Sequence, residues 1–298
     1  MEKKYMSNSV QHILVTGAGG YIGSHLVNAL CLNDENVVYA VSRNSNPSNR
    51  YTSLQLDLSD PHFTEHLPEQ IDTVIHLAQS SQYRKEPDGF EDMFQVNINA
   101  SFRLLEWARK NKVSNFIFTS TGSVYKASSK PLVETDEVHA ERFYPASKIA
   151  AEQLIQSYST YFKTYILRVF SVYGPEQQQM MIPGIIQRIK QNQPLILAGN
   201  AGIYLSPLYI DDCVKMIIAL TSDLPDPGVY NLSGNDVVSL KDIVEVIESL
   251  LQIKATVSDI SGEPSSLVGD GSKLYNAIQY TPLVNVRTGL EQTLKATV

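Results

Sequence analysis

The sequence predicts an α/β protein with a doubly wound parallel sheet, followed by a smaller lobe. Short apolar runs alternate with helix-length segments through the first 170 residues, which is the pattern of βαβ units whose sheet is covered on both faces. A glycine-rich segment joins the first apolar run to the first helical one. After Gly174, Pro- and Gly-bearing turns separate looser helical segments, so the sheet is expected in the first part of the chain.

Each element follows from its composition and spacing. Strands are predicted at 13–16, 37–41, 53–56, 73–76, 115–119 and 164–169, where Val, Ile, Leu and Phe are frequent in short runs. Helices are predicted at 22–32, 90–110, 145–161, 182–191, 211–221 and 239–251, which are longer and more mixed. Ligands of such sheets bind outside the carboxyl ends of the strands, which places Gly17, His76, Thr121 and Ser171 along one rim.

The composition limits the class of protein. The chain has 298 residues, 43% of them hydrophobic, and can bury a large core. Its net charge of −7 does not favour a nucleic-acid partner or an anionic membrane. Cys31 and Cys213 are far apart, so neither a disulfide framework nor a metal site is expected. Met1 to Ser9 is polar and no long apolar run occurs, so we expect a cytoplasmic protein.

The segment after the first strand favours binding of a dinucleotide. It reads Val15-Thr-Gly17-Ala-Gly-Gly20-Tyr21-Ile22-Gly23. Glycine permits a tight turn, close approach of the backbone to a pyrophosphate, and close packing of helix on strand. The following helix N-terminus offers free amides and partial positive charge to phosphates. The alternative is a glycine-rich turn that binds no ligand.

The end of the second strand bears on the choice of cofactor. NAD-binding units carry an acidic side chain there, whereas this chain has Ser42 and Arg43. A guanidinium would pair with a 2′-phosphate, so we expect NADP, with NAD as the alternative. Arg43 could instead be a solvated loop residue. Asp57 and Leu58 are placed to contact the adenine, unless Asp57 caps a helix before Pro61.

Tyr144 and Lys148 are the candidate catalytic pair. They are four residues apart and share a helix face if Pro145 begins the helix. Free tyrosine has a pKa near 10, and a nearby ammonium favours the phenolate. Tyr144 could then exchange a proton with a sugar hydroxyl or carbonyl, while Lys148 reaches the nicotinamide ribose. An exposed helix face is the alternative, although the strand ending in the hydroxyls of Thr121 and Ser123 is expected at the same rim.

These motifs resemble those of the extended short-chain dehydrogenases/reductases of the nucleotide-sugar epimerase/dehydratase family. The resemblance covers nearly the whole chain and implies a Rossmann-type fold. It implies an NAD(P)-binding domain at 1–172 and a mainly substrate-binding lobe at 173–298, some of whose segments return to the first domain. The matching segments are the glycine turn, Val74-Ile-His76-Leu77-Ala78, Asn97 in Val-Asn-Ile-Asn-Ala-Ser, the strand ending at Thr121, Tyr144 with Lys148, Arg168-Val-Phe-Ser171-Val-Tyr-Gly-Pro175 and Tyr209-Ile-Asp-Asp212.

Together, the motifs and the resemblance assign roles to individual residues. Thr121 is implied to share the reacting substrate oxygen with Tyr144, and Lys148 completes the catalytic group. His76 is expected beneath the cofactor in a structural role, and Trp107 is expected to pack on a helix face. The substrate residues are Ser81, Thr121, Ser123 and Ser171. The cofactor residues are Gly17, Gly20, Tyr21, Ile22, Gly23, Ser42, Arg43, Asp57, Leu58, Leu77, Ala78, Asn97, Tyr144 and Lys148.

Three departures from the family's pattern concern the substrate. The family's 4,6-dehydratases carry an Asp-Glu pair after the threonine, whereas this chain has Gly122 and Ser123, so elimination of water is not expected. Ser171 stands where the family commonly has asparagine. Leu205 stands where a diphosphate-contacting arginine is usual. The contacts with a nucleotide sugar are therefore expected to differ from those usual in the family.

Three functions are compatible with the sequence. The leading interpretation is an NADPH-dependent reductase of a nucleotide-linked 4-keto (6-deoxy) sugar, because Arg43 favours NADPH. The alternative is a nucleotide-sugar 4-epimerase that keeps NAD tightly bound, oxidises C4 and returns the hydride. The third is a non-catalytic dinucleotide sensor, which would not need Tyr144 and Lys148.

A homodimer is the expected assembly. The helices at 90–110 and 145–161 carry apolar stripes, and members of the family pair these two helices across a two-fold axis into a four-helix bundle. The stripe residues are Phe102, Leu105, Ala108, Ile149, Leu154 and Ile155.

Overall fold

Two compact units make up the chain in the computed structural model, which describes residues 10–45, 47–222 and 225–296. The first unit is Met1–Thr119 with Ser147–Ile166, and the second is Ser120–Ala146 with Leu167–Val298. The N-terminal stretch that bears on targeting lies outside the described residues. A functional division at residue 172 stays a prediction.

The observed elements follow the predicted order. The strands are β1 (Gln11–Thr16), β2 (Asn36–Ser42), β3 (Thr52–Gln55), β4 (Thr73–His76), β5 (Asn115–Thr121), β6 (Lys163–Val169), β7 (Val172–Tyr173), β8 (Leu195–Ala198), β9 (Ile203–Leu205), β10 (Leu208–Tyr209), β11 (Gly228–Leu232), β12 (Val238–Ser239), β13 (Val257–Ile260) and β14 (Ser265–Leu267). The helices are α1 (Tyr21–Leu30), α2 (Phe90–Met93), α3 (Ala100–Lys110), α4 (Phe143–Ser157), α5 (Met181–Lys190), α6 (Ile210–Ser222), α7 (Leu240–Leu251), α8 (Ser272–Ile278) and α9 (Val286–Lys295).

The main sheet is Rossmann-type and confirms the predicted fold class. Its seven strands run in the order β11-β6-β5-β4-β1-β2-β3. From β3 to β5 neighbouring strands pair in parallel, and Thr16 at the end of β1 lies opposite both Val41 of β2 and His76 of β4. The strand order reverses between β1 and β4, which opens a crevice beyond their carboxyl ends. The segments that follow these two strands therefore border a natural ligand site.

Two predicted helices differ in detail from the structure. The run at 90–110 is interrupted by a π-helical segment, Phe94–Asn99, between α2 and α3. Such segments often lie at functional sites, and this one contains Asn97. Helix α4 begins at Phe143, so Tyr144 and Lys148 both lie inside it. Helices α8 and α9 and strands β7 to β14 were not predicted, because their apolar runs are too short to give a clear period.

Candidate functional site

A cavity of about 490 Å³ lies at the carboxyl ends of the parallel strands in the first unit. The loops after β1, β2, β3 and β4 all contribute to its wall. Nine of the predicted site residues line it, including Ser81, which was assigned to the substrate: Gly17, Gly20, Ser42, Arg43, Asp57, Leu58, Leu77, Ala78 and Ser81.

The glycine turn forms one wall of the cavity, and two of its glycines are required by geometry. Gly17 has a left-handed backbone, with φ of +73°, and a Cβ there would lie 2.7 Å from the Ala78 nitrogen. A Cβ on Gly23 would collide with the Gly17 carbonyl oxygen. The amide of Gly20 donates to that carbonyl at 2.9 Å, and α1 begins at the next residue. The resulting cradle, open to a helix N-terminus, fits a dinucleotide pyrophosphate.

His76 ties the ends of two strands to the helix beside them. Its ring is fully buried, and burial together with a nearby lysine charge lowers its pKa to about 3. Nδ1 lies 2.6 Å from Thr16 Oγ1, and Nε2 lies 3.0 Å from Ser101 Oγ. Ser101 donates its own hydrogen to a backbone carbonyl, so Nε2 carries the proton and Thr16 donates to Nδ1. The histidine is therefore structural, as expected.

Asn97 links two segments of the site and is itself buried. Its Oδ1 accepts the Ser80 amide at 2.8 Å, and its Nδ2 donates to Ser147 Oγ at 2.9 Å. Ser147 precedes Lys148 in α4. Both polar atoms of the asparagine are thus used inside the protein, and Val96, not Asn97, lines the cavity. The contact of Asn97 with a cofactor stays a prediction.

The Asp57 side chain stabilises the turn in which Asp57 lies. Its Oδ1 accepts the backbone amide and the hydroxyl of Ser59, at 2.9 and 2.8 Å. These bonds close a turn, whereas the short 3₁₀ helix Phe63–His66 begins later. Asp57 also lines the cavity, so the turn and the predicted adenine contact are compatible.

Some cavity residues were missed by the sequence analysis. Several of them simply continue the loops after predicted residues, while Asp92 and Val96 precede Asn97 in the same helical run. The Ser80 hydroxyl donates to the Asp92 carboxylate, which could not be predicted without the loop path. The additional lining residues are Gly19, Val41, Asn44, Ser45, Gln79, Ser80, Tyr83, Asp92 and Val96. Tyr21, Ile22 and Gly23 open α1 and are not part of this lining.

Lys148 is one of the most deeply buried charged groups of the first unit. Its side chain is 1% exposed, and Nζ lies 4.2 Å from the centroid of the Phe118 ring. Burial lowers the pKa of Lys148 to about 7, while the charge of Glu152, one turn further along α4, acts to raise it. An exposed helix face is therefore the wrong interpretation of Lys148.

The second unit holds the other two predicted catalytic side chains. Tyr144 is half-buried in the first turn of α4. Thr121 ends β5, and its Oγ1 accepts the Ser123 amide at 3.2 Å. That bond leaves the hydroxyl hydrogen of Thr121 available to donate. A threonine arranged in this way can hydrogen-bond to a substrate carbonyl or alkoxide oxygen.

Phe170 fills the space beside the turn that carries Thr121. A Cβ on Gly122 would lie 2.7 Å from the Phe170 ring, and a Cβ on Gly269 would also collide with it. The ring stacks on Tyr125 with centroids 6.3 Å apart and is 4% exposed. The two glycines are therefore required by one aromatic ring.

Three further positions in the segments that resemble the family, Ser171, Leu205 and Asp212, make contacts that support the fold. The carbonyl of Ser171 accepts the Leu208 amide at 2.9 Å, and the Ser171 side chain is half-buried. Leu205 lies in β9 with 2% exposure, so this strand presents an apolar core residue where the family has an arginine. Asp212 is fully buried, and its carboxylate accepts the amides of Leu283 and Val284, in the loop between α8 and α9, and the hydroxyl of Tyr280.

The part of the chain that the structure describes contains neither a membrane-spanning helix nor a cluster of metal ligands. No helix in this part is long and apolar enough to cross a bilayer. Across the same ranges, no group of three or more His, Cys, Asp or Glu side chains could hold a metal ion.

Comparison with known proteins places this geometry in a family. Residues 13–233 match the model of the NAD dependent epimerase/dehydratase family. The chain is 32% identical over 301 residues to YtcB of Bacillus subtilis, an uncharacterized UDP-glucose epimerase, covering 93% of this chain and 95% of the relative. It is 29% identical to the human dTDP-D-glucose 4,6-dehydratase, covering 84% of this chain and 76% of that protein.

A solved structure is similar over almost the same length. It is the UDP-glucuronic acid 4-epimerase from Bacillus cereus in complex with UDP-glucuronic acid and NAD, with a TM-score of 0.87 and 29% identity over 96% of this chain and 98% of that one. With the family model covering most of the chain and the glycine turn, Tyr144 and Lys148 in place, the chain belongs to the NAD-dependent epimerase/dehydratase family.

Proposed function

We propose that this chain is a nucleotide-sugar 4-epimerase, the alternative weighed above, and not the ketoreductase that Arg43 first favoured. The observation that carries the proposal is the likeness to a UDP-glucuronic acid 4-epimerase across 96% of the chain. Dehydratases are also among the relatives, but Gly122 and Ser123 carry no acid or base for eliminating water. Proton and hydride exchange at a single carbon is the chemistry that the remaining hydroxyl groups support.

The cavity of the first unit is proposed to hold the dinucleotide. When bound, that cofactor supplies a hydride acceptor that can also return the hydride. Gly17 and Gly20 would allow the backbone to approach the pyrophosphate, and Ser42 with Asp57 would contact the adenosine half. NAD is the form bound in the solved relative.

The proposed proton chemistry belongs to three side chains. Tyr144 accepts the proton of the sugar C4 hydroxyl while C4 is oxidised to a ketone. It returns that proton to the oxygen when C4 is reduced again from its opposite face. Lys148 favours the tyrosinate by its charge and binds the nicotinamide ribose. Thr121 donates a hydrogen bond to the same substrate oxygen. Ser123 and Ser171 are proposed to contact the sugar.

The test uses the purified protein without added cofactor. Released nucleotide is identified by mass spectrometry after denaturation, and UDP-glucose and UDP-glucuronic acid are followed by NMR. An epimerase should convert one of them to its C4 epimer catalytically, and a deuterium placed at C4 should stay there because the same hydride returns. Stoichiometric consumption of NADPH by a 4-keto sugar nucleotide, with no epimer formed, would establish the reductase instead.

We also propose a homodimer, with a revised interface. Leu105, Ala108 and Ile155 are fully buried within the chain, so these members of the predicted stripes cannot face a partner. Phe94 and Phe102 are 46% and 44% exposed, and they lie eight residues apart on one side of the helical run, with Ile98 between them. Ile149 and Leu154 of α4 are partly exposed.

Sedimentation velocity tests this assembly. The wild type should sediment at twice the chain mass of 33.2 kDa, and Phe94→Glu/Phe102→Glu should sediment as a monomer because it places charges on the apolar face. Leu32→Glu is the control, since Leu32 is 79% exposed but lies outside these helices. A monomeric wild type at micromolar concentration would rule the dimer out.

A further inference from the structure

A buried aromatic ring lies against the Lys148 amine in the first unit. Phe118, in β5, is 1% exposed, and Lys148 Nζ stands over the face of its ring, 4.2 Å from the centroid. Both residues belong to the same compact unit. The ring therefore contacts the amine on which the proposed chemistry of Tyr144 depends.

The sheet fixes the position of this ring. His76 of β4 is the direct partner of Phe118 across the two parallel strands, and their rings lie 5.6 Å apart. The two nitrogens of His76 are in turn hydrogen-bonded to Thr16 and Ser101. The Phe118 ring thus packs against a side chain that is itself held in place.

A buried ammonium must be compensated for the water that it loses. Desolvation favours the neutral amine, and burial lowers the pKa of Lys148 to about 7. On α4, Glu152 attracts the positive charge, and Tyr144 precedes Lys148 by one turn. On β4, His76 stays neutral, because burial and the charge of Lys148 lower its pKa to about 3. On β5, the face of the Phe118 ring attracts a desolvated cation.

An aromatic face suits this amine better than a carboxylate in direct contact. An ammonium has three N–H donors, and a touching carboxylate would take one or more of them in charged hydrogen bonds. The negative face of a ring attracts the charge without being a strong hydrogen-bond acceptor. Lys148 can therefore be held as a cation and still donate to other groups.

We propose that Phe118 is a positioning residue for Lys148, whose amine it holds as an ammonium while leaving the N–H donors for the nicotinamide ribose and the tyrosinate. This inference rests on the role of Lys148 in the proposed function. The contact itself lies within the first unit, so it can be measured without any substrate. A purely structural Phe118 would need only its volume and its apolar surface.

Site-specific fluorination of Phe118 separates the two roles. Phenylalanines carrying one, two or three ring fluorines keep nearly the same shape but withdraw negative charge from the face of the ring. Protonation of Lys148 is followed by NMR through its Cε resonance in protein labelled with ¹³C-lysine, and that resonance is assigned by its loss in Lys148→Arg. The proton affinity of the Lys148 amine should fall with each fluorine, by about 10- to 30-fold with three.

The same series should change the pH dependence of epimerisation. Because the proposed mechanism uses the ammonium, the turnover that is lost as pH rises should be lost at a lower pH with each added fluorine. Three fluorines on Phe116 are the matched control, since Phe116 lies two residues earlier in β5 and its ring contacts those of His76 and Phe162. That control should leave the protonation of Lys148 unchanged.

The titration of Lys148 decides the proposal independently of the reaction. If it does not change when Phe118 is fluorinated, or changes equally when Phe116 is fluorinated, Phe118 only fills space and the proposal is wrong. A stepwise change confined to Phe118 would establish the contact. Phe118→Leu should have an effect similar to three fluorines, and the fluorinated series decides the matter if this variant does not fold. Absence of epimerisation in the unmodified protein would overturn the proposed function instead.

Discussion

Tyr144→Phe is expected to lower turnover about 10²- to 10⁴-fold, the usual contribution of a positioned proton donor or acceptor. The substitution removes only the hydroxyl, so the fold and the cavity of the first unit should persist. Dinucleotide affinity should therefore be nearly unchanged, and the loss should fall on kcat. The measurement is steady-state turnover by NMR together with a cofactor titration on the same preparation.

Companion variants test the division of roles around Tyr144. Thr121→Val should cost less, because it removes a hydrogen bond and no proton transfer. Lys148→Ala should lower both turnover and cofactor affinity, since one side chain is proposed to bind ribose and to favour the tyrosinate. Tyr161→Phe is the control, because Tyr161 is 62% exposed. If Tyr144→Phe kept more than about a tenth of wild-type turnover with chemistry rate-limiting, the proposed mechanism would be wrong.

The parallel sheet could be predicted because its strands are distinctive locally. Buried parallel strands are continuous apolar runs, and β1, β4 and β5 each contain such a run. Gly17 could also be predicted from a local requirement, because its left-handed φ excludes most other residues. The rim of the sheet follows from strand direction alone.

Other features depend on contacts between distant segments and left no local signal. The hydrogen bonds of Asn97 join Ser80 to Ser147, which are 67 positions apart in the sequence. The hydrogen bond from Arg50 to Asn28 joins a loop to helix α1, which lies 22 positions earlier in the sequence. The burial of Leu105 and Ala108 could not be told from an exposed apolar stripe, because both have the same helical period.

Gly122→Ala is expected to lower turnover about 100-fold, because misplacing reacting groups by about 1 Å has that effect. The new methyl group would lie 2.7 Å from the Phe170 ring, so either the ring or the turn must move. Overpacking of this kind typically costs about 1–3 kcal/mol of stability. Since Gly122 lies between Thr121 and Ser123, the displaced turn carries both hydroxyls with it. Dinucleotide affinity should be retained, because the cavity belongs to the first unit.

The double variant Gly122→Ala/Phe170→Leu decides whether the ring is the cause. A leucine is smaller than the ring, so it should make room for the alanine methyl group and restore most of the lost turnover, while Phe170→Leu alone should lower turnover by leaving the turn unsupported. Gly184→Ala is the matched control, since nothing beyond its chain neighbours and the backbone of its own helix lies within 4 Å of the added Cβ and alanine favours a helix. If the two single losses simply added in the double variant, Phe170 would not be what holds Thr121 in position. Recovery would instead mean that one buried aromatic ring fixes the hydroxyl that Tyr144 needs beside it.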